Sequence, residues 1–438
     1  MLEAGLILLL PALPSSAGLP KDAVPAVSYS TYSLTSADRA FLEDLEKRSF
    51  LYFWEQADPL TGLVRDRSRS DGAASPGHER VASAAATGFG LSALCVGVRH
   101  GWVEPKKALE RSRRTLRFLA EKAPHKRGWF YHWMDIGDGS RAWNSEISSI
   151  DTALLLAGVL TSRQCFAYDP EITSLARRIY ERVDFPWLLD RKTLLMRHGW
   201  TPEKGMLTSL WDTYSEHGIL NLLAIGSPTH PIPARAWRAW RRDWMEYGGI
   251  RYINPGTPLF THQYSHAWVD FRGRREKRPP PVDYFANSIL ATRAHRAFCL
   301  ELGPEFPGYS ADIWGITASD GPKGYEAWGG PPRHPDIDGT VVPAAAAGSL
   351  MFAPELTLPA LRAMRERFGG RVYGRYGFAD AFHPVTGWVA PDTLGIDAGI
   401  TLLSGENLSS GTVWAWFMRN PEIGSAMKKA GLGFQPSH

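Results

Sequence analysis

Residues 146–162 read EISSIDTALLLAGVLTS, with apolar side chains returning at three- and four-residue steps. That spacing predicts an amphipathic-to-buried helix. The same period recurs at 37–56 (ADRAFLEDLEKRSFLYFWEQ), 82–98 (ASAAATGFGLSALCVGV), 105–122, 170–185, 213–226, 233–247, 283–302, 342–352, 356–368 and 395–405. This gives roughly twelve helices, with few alternating patterns that would make strands. Pro105, Pro170, Pro233 and Pro354 stand at or just before periodic runs, where a missing amide hydrogen costs nothing. No linker or shift in composition divides the chain. The expected architecture is one all-α domain from about residue 36 to residue 438, helical hairpins closed into a toroid with the long loops gathered at one rim.

The chain has 438 residues, 44% of them hydrophobic, enough for a large core without a partner, so a monomer is expected. A formal charge of +4 is small for this length. The basic run RGRREKR at 272–278 reads as a solvated loop, and nucleic-acid binding would need a basic face interleaved with aromatics. Cys95, Cys165 and Cys299 cannot all pair within one chain, and no CxxC or Cys/His spacing accompanies them. They read as core residues, and neither a structural zinc nor any cofactor is expected. LILLLPALPSSAG at 6–18 resembles a secretory signal, although Glu3 stands where a basic residue is usual. The expectation is therefore a signal-like or disordered segment over 1–35 and a periplasmic or secreted location, with the cytoplasm as the alternative. No other stretch approaches the roughly 18 apolar residues of a membrane span.

The segment Trp211–Arg272 sets WDTYSEHGILNLLAIGSPTHPIP and LFTHQYSHAWVDFR close together. Carboxylates, imidazoles and indoles in such a mixture suit a sugar site: acids work on the glycosidic bond while aromatic faces stack on pyranose rings. Glu216 follows Trp211 and Tyr214 at the mouth of a helix, where an apolar setting would keep an acid protonated. Thr213 to Glu216 equally fits a helix capping box. Three carboxylates compete as base: Asp397 between Gly395 and Gly399, read as projecting from a loop, and Glu146 and Asp151, read at a helix start behind the cap Asn144.

In order, YFWEQADPLTGLVRDRS (52–68), WNSEISSIDTALLLAG (143–158), the 211–233 segment, FTHQYSHAWVDFRG (260–273), DYFANSILATRAH (283–295), WGITASDGPKGY (314–325), DGTVVPAAAAGSLMFAPE (338–355), YGRYGFADAF (373–382) and GIDAGITLL (395–403) resemble the bacterial glucoamylase-like domain proteins of glycoside hydrolase family 144. The resemblance covers nearly everything from residue 40 onward. It implies an (α/α)6 barrel and action on β-1,2-glucan or its oligosaccharides, chiefly as an inverting endo-β-1,2-glucanase releasing sophorose-type products. Exo-acting relatives, transglycosylases and a glucan-binding protein without catalysis are the alternatives. The resemblance places the general acid at Glu216. Asp397 ranks first as base, Glu146 second, and Asp151 as a substrate-binding or pKa-setting neighbour. Ala398 stands where the family pattern usually has Gln.

Further expected substrate contacts are Asp135, within a DIGDG turn that lacks the remaining ligands of a calcium loop, and Arg65 and Asp66. His262, Gln263 and His266 alternate with aromatics, although single histidines in such runs are more often core. Trp133, Trp143, Trp211, Trp268 and Trp314 are candidate platforms, with Tyr214 beside them. Among 17 Trp most must be core. Ser319, Asp320 and Tyr325 complete the expected cleft.

Overall fold

The computed structural model describes residues 29–254, 256, 258–277 and 281–434. The signal-like run at 6–18 lies outside the described residues. Within them the chain forms thirteen α-helices: α1 Ser36–Glu55, α2 Ala84–Arg99, α3 Pro105–Glu121, α4 Ser149–Cys165, α5 Pro170–Glu181, α6 Gly218–Gly226, α7 Tyr264–Trp268, α8 Tyr284–Glu301, α9 Pro343–Ala347, α10 Pro354–Phe368, α11 Gly395–Ser409, α12 Thr412–Met418 and α13 Pro421–Ala430. The fold is an (α/α)6 barrel.

Two kinds of helix build it. Helices α2, α4, α6 and α11 are buried on nearly every side and make the inner layer. Helices α3, α5 and α13 bury one stripe and turn their charged residues outward, as an outer layer must. Small residues let the inner helices approach: a Cβ at Gly88 of α2 would overlap the Leu154 carbonyl of α4, and one at Gly158 would overlap Gly88 itself. Outer helices start as their sequence dictates, with Pro105, Pro170, Pro354 and Pro421 in the first turn.

Strands are two to four residues long and pair antiparallel in small ladders. Three of these ladders sit at the amino-terminal ends of inner helices. Val81–Ser83 runs into α2 and pairs with Trp133–Asp135; Ile147–Ser148 runs into α4 and pairs with Gly199–Thr201; Asp392–Leu394 runs into α11 and pairs with Arg67–Arg69. The rim is thus a set of stitched loops above helix starts, the place where a toroid of helical hairpins collects its long connections.

Two segments differ from expectation. The run 233–247 is not a helix: Ala234–Arg238 makes a 3-10 turn, and Trp244–Tyr247 becomes a strand against Ile250–Ile253. Tertiary contacts override its periodicity, since Arg242 stacks 3.5 Å from the Trp240 ring centroid and bonds the carboxylate of Glu276 at 2.7 Å. The basic run near 272 is not merely solvated either. Arg274–Glu276 pairs with Leu432–Phe434, and Glu276 is buried, accepting hydrogen bonds from Arg242, Trp237 and Tyr284.

Candidate active site

One wall is built where the chain enters α6. The Glu216 side chain is buried there, and Ser215 Oγ donates to its Oε2. The capping box does not form. Thr213 Oγ1 bonds Asp243 instead, at 3.1 Å, and no side chain at the α6 start caps the helix. Ser265 of α7 supplies what is missing, accepting from the Ile219 amide at 2.9 Å and donating to the Glu216 carbonyl at 2.5 Å. The carboxyl of Glu216 therefore does not cap α6, although its own backbone amide still donates to it. Burial, aided by the Asp151 carboxylate, pushes it up to about 7 against the opposing Ser215 hydrogen bond.

Beside it lies a carboxylate–imidazole group at the start of α4. The helix cap is Ser148, which accepts from the Asp151 amide at 3.2 Å, and not Asn144, which occupies a left-handed turn with φ 53°. Glu146 stands before the helix, so its charge owes nothing to the first turn. His132 Nδ1 lies 3.0 Å from Glu146 Oε1, and its Nε2 3.5 Å from Asp151 Oδ1. Burial opposes the imidazolium, but the Asp151 and Glu146 carboxylates overcome it and raise His132 to about 9. In return, and against its own burial, Glu146 is held below the usual carboxylate range, while burial lifts Asp151 above it. His132 stacks on Trp133 at 3.7 Å between centroids, and the Trp133 indole donates to Asp66 Oδ1 at 3.1 Å.

A second carboxyl group centres on Asp397 at the start of α11. It lies in the first turn of α11 and not in a loop. Its flanking glycines serve packing rather than approach to a sugar, since a Cβ at Gly395 would crowd Ala86 and one at Gly399 would overlap Phe89. A residue that sequence reasoning missed, Asp380, hydrogen-bonds to Asp397. Burial and the Asp397 charge push Asp380 well above the usual range; Asp397 is also raised by burial, but less, because Asp380 donates to it. Asp380 Oδ2 in turn accepts from the Asp320 amide at 2.7 Å, and Arg67 binds both Asp320 oxygens, at 2.9 and 3.1 Å, and Asp66 at 3.2 Å. The available signal for Asp380 was an acid set between alanines in FADAF, a run too apolar to be solvated. The buried Tyr264 feels the charges of Asp397, Glu216 and Asp151 together, so all three carboxyl groups lie near its phenol.

Several expected contacts fall elsewhere. Trp268 and Trp314 are core residues, 0% exposed, and the Trp268 indole donates to Ser92. His262 and His266 are buried and pushed down to about 3 by desolvation, hence neutral, and Gln263 bonds the Ala345 carbonyl and Ser349. Ser319 is buried against the Trp328 indole, and Tyr214 stacks on Tyr284. Arg65 is engaged by Gln56 and the Glu79 carbonyl. Asp135 forms a fork with Arg80 and accepts from the Gly137 amide, as its turn requires. Trp133, Trp211, Trp143 and Tyr325 keep exposed ring surface, the last two 44% and 51% exposed. Among the described residues, two groups bring three potential metal ligands within 4.8 Å of one another: His132, Glu146 and Asp151 here, and Glu46, His100 and Glu406 at the far end of the barrel.

This combination of helical barrel and carboxylate-lined rim is that of a glycoside hydrolase. A family model described as "Putative glucoamylase" matches residues 208–421. An endo-β-1,2-glucanase from Chitinophaga pinensis, solved with sophorotriose and glucose, is 30% identical, with a TM-score of 0.84 over 91% of this chain and 99% of that one. A β-1,2-glucanase from Parabacteroides distasonis is 25% identical, with a TM-score of 0.82 over 92% of this chain and 61% of that one. An exo β-1,2-glucooligosaccharide sophorohydrolase (non-reducing end) from the same organism is 27% identical over 441 residues, 92% of this chain and 59% of the relative. The chain thus spans about three-fifths of the curated relative it matches. It belongs to the glucoamylase-like glycoside hydrolases of the family 144 type.

Proposed function

We propose that this protein hydrolyses β-1,2-glucan and its oligosaccharides by single displacement, cutting within the chain. The observation that carries the reading is the pairing of opposite protonation states in two buried carboxyl groups that both act on Tyr264. Glu216, lifted to about 7, retains a proton near neutrality, whereas Asp397 is ionised beside a protonated Asp380. Glu216 gives its proton to the departing glycosidic oxygen. Asp397 takes a proton from the water that attacks the anomeric carbon on the other face. Trp133, Trp143 and Trp211 offer faces for pyranose rings, with Tyr325 at the mouth. The His132, Glu146 and Asp151 group binds hydroxyls and, through the Asp151 charge, helps keep Glu216 protonated.

The substrate linkage is supported by the relatives, whose names specify β-1,2-glucans. The signal-like run at 6–18 supports action in the periplasm or outside the cell. Among the described residues no helix is long and apolar enough to cross a membrane. The deciding experiment is product analysis on linear β-1,2-glucan, with sophorotriose, laminarin and soluble starch in parallel, for the wild type and Glu216→Gln. Short β-1,2-oligosaccharides, released by the wild type and of inverted anomeric configuration by early NMR, are expected. Retained configuration or transfer to acceptor sugars would replace hydrolysis by transglycosylation; sophorose released solely from chain ends would replace endo by exo action.

A further inference from the structure

At the end of the barrel away from the cleft, α1, α2 and α11 converge on a second carboxylate–imidazole group. Glu406 follows Asp397 by nine residues of α11, about 13 Å along the helix axis at the usual rise. His100 is the residue that ends α2, and Glu46 lies midway along α1. His100 Nε2 is 2.7 Å from Glu406 Oε2 and 3.9 Å from Glu46 Oε2. Both carboxylates are almost wholly buried.

The groups around these atoms hold each of them from behind. His100 Nδ1 is engaged by Glu43 Oε2 at 3.0 Å. Ser409 Oγ donates to Glu46 Oε1 at 3.1 Å, and Ser410 Oγ donates to Glu406 Oε1 at 2.5 Å, where Arg99 Nε also approaches to 3.1 Å. Glu46 and Glu406 therefore each have one oxygen held by a neighbour, while Glu406 Oε2 meets His100 Nε2 directly at 2.7 Å. Glu46 Oε2 is the telling atom: it is buried and has no hydrogen-bond partner. An oxygen in that position costs free energy unless something positive meets it. Gly405 lets α11 approach α1 here, because a Cβ there would come within 3.0 Å of Glu46 Cγ and Oε1.

The donor set fits one class of occupant. An imidazole whose other nitrogen rests on a carboxylate is the usual arrangement of a metal-ligating histidine. Bonds of about 2.0–2.2 Å in a tetrahedral site set ligand atoms roughly 3.4 Å apart, so an ion would part His100 Nε2 from Glu406 Oε2, hydrogen-bonded at 2.7 Å, and draw in Glu46 Oε2 from 3.9 Å. Three carboxylates, Glu43, Glu46 and Glu406, face one guanidinium, Arg99, and one imidazole. With the imidazole neutral, as a metal ligand must be, and all three carboxylates ionised, a divalent cation would balance the group. Two carboxylates and one imidazole select a borderline first-row ion such as zinc over calcium, which takes six or more oxygens.

We propose that Glu46 Oε2, His100 Nε2 and Glu406 Oε2 bind a zinc-class divalent cation, with water in the fourth position, and that the ion clamps α1, α2 and α11 at the barrel's far end.

The test is titration of the chelator-treated full chain with zinc chloride at pH 7, by calorimetry in buffers of different ionisation enthalpy and by thermal unfolding. One equivalent should bind and raise the unfolding temperature. Glu46→Gln and His100→Gln should each weaken binding more than about tenfold, and Glu43→Gln about 10–100-fold. Glu146→Gln, which disables the histidine–carboxylate group in the cleft, should leave the zinc response intact. Lack of stoichiometric binding by the wild type, binding without a rise in unfolding temperature, or a response lost in Glu146→Gln but kept in Glu46→Gln and His100→Gln would each overturn the proposal.

Discussion

Asp380 stands beside Asp397 as a second buried carboxyl group, and the Asp320 amide donates to Asp380 Oδ2 at 2.7 Å. Two such groups cannot both ionise at close range without large cost. The pair therefore stays half-titrated near neutrality, with the charge on Asp397. Replacing Asp380 by Asn preserves a neutral donor, and most of the activity should survive. Replacing it by Leu removes the donor, so Asp397 becomes harder to ionise and the acidic limb of the kcat/KM profile should move to higher pH. Identical profiles for the two variants would remove Asp380 from the machinery.

Activity should follow a narrow bell. Asp397 must be ionised, and its position above the usual carboxylate range puts the acidic limb higher than an exposed Asp would. Glu216 must be protonated, so rates should fall as pH rises through about 7. A kcat/KM profile on β-1,2-glucan that stays flat to pH 9 would exclude Glu216 as the acid.

Glu216→Gln should lower kcat by about 10²–10⁴-fold while substrate still binds, since the amide keeps the volume and the Ser215 contact. Calorimetry with sophorotriose and circular dichroism check binding and folding separately. A loss of binding equal to the loss of rate would point to a positioning role.

His132 links the cleft to stability. Its folded pKa, about 9, lies above the ordinary 6.5. Its charge pairing therefore stabilises fully below about pH 6.5 and is lost as pH rises through about 9. Thermal unfolding of the wild type should weaken across that window more than that of His132→Gln, in which the slope should flatten.

Gly88→Ala tests the inner packing. The new methyl would meet the Leu154 backbone, which cannot rotate away, and overpacking of this kind costs about 1–3 kcal/mol. A clear fall in unfolding temperature is expected, against little change for Gly424→Ala, which has open space around it.

Helical periodicity makes most of the barrel legible in the sequence, because α2, α4 and α11 are buried by pattern alone. It fails at 233–247, where Arg242 and Glu276 draw the chain out of a helix that its own spacing favours. Within the site, Glu216, Glu146, Asp151 and Asp397 are visible as acids beside aromatic or glycine-rich runs. Their settings are not. Whether Thr213 caps α6 depends on Ser265, 52 residues away in the chain, and Asp380 acquires a role solely through Asp397. Trp268 and Trp314 cannot be told from Trp143 by sequence, since an indole packs equally well against a core or a sugar.

Glu216, Asp397 and the His132 group each stand at a different helix start, and lower down α2 locks to α4 through Gly88 on Gly158 and to α11 through Phe89 on Gly399. In the proposed mechanism the chemistry is thereby insulated from the loops that would grip the polymer. Lengthening or trimming one of those loops can change how many sugar units are held without shifting a carboxylate, so cutting inside a chain and trimming its end become neighbouring outcomes of one unaltered engine.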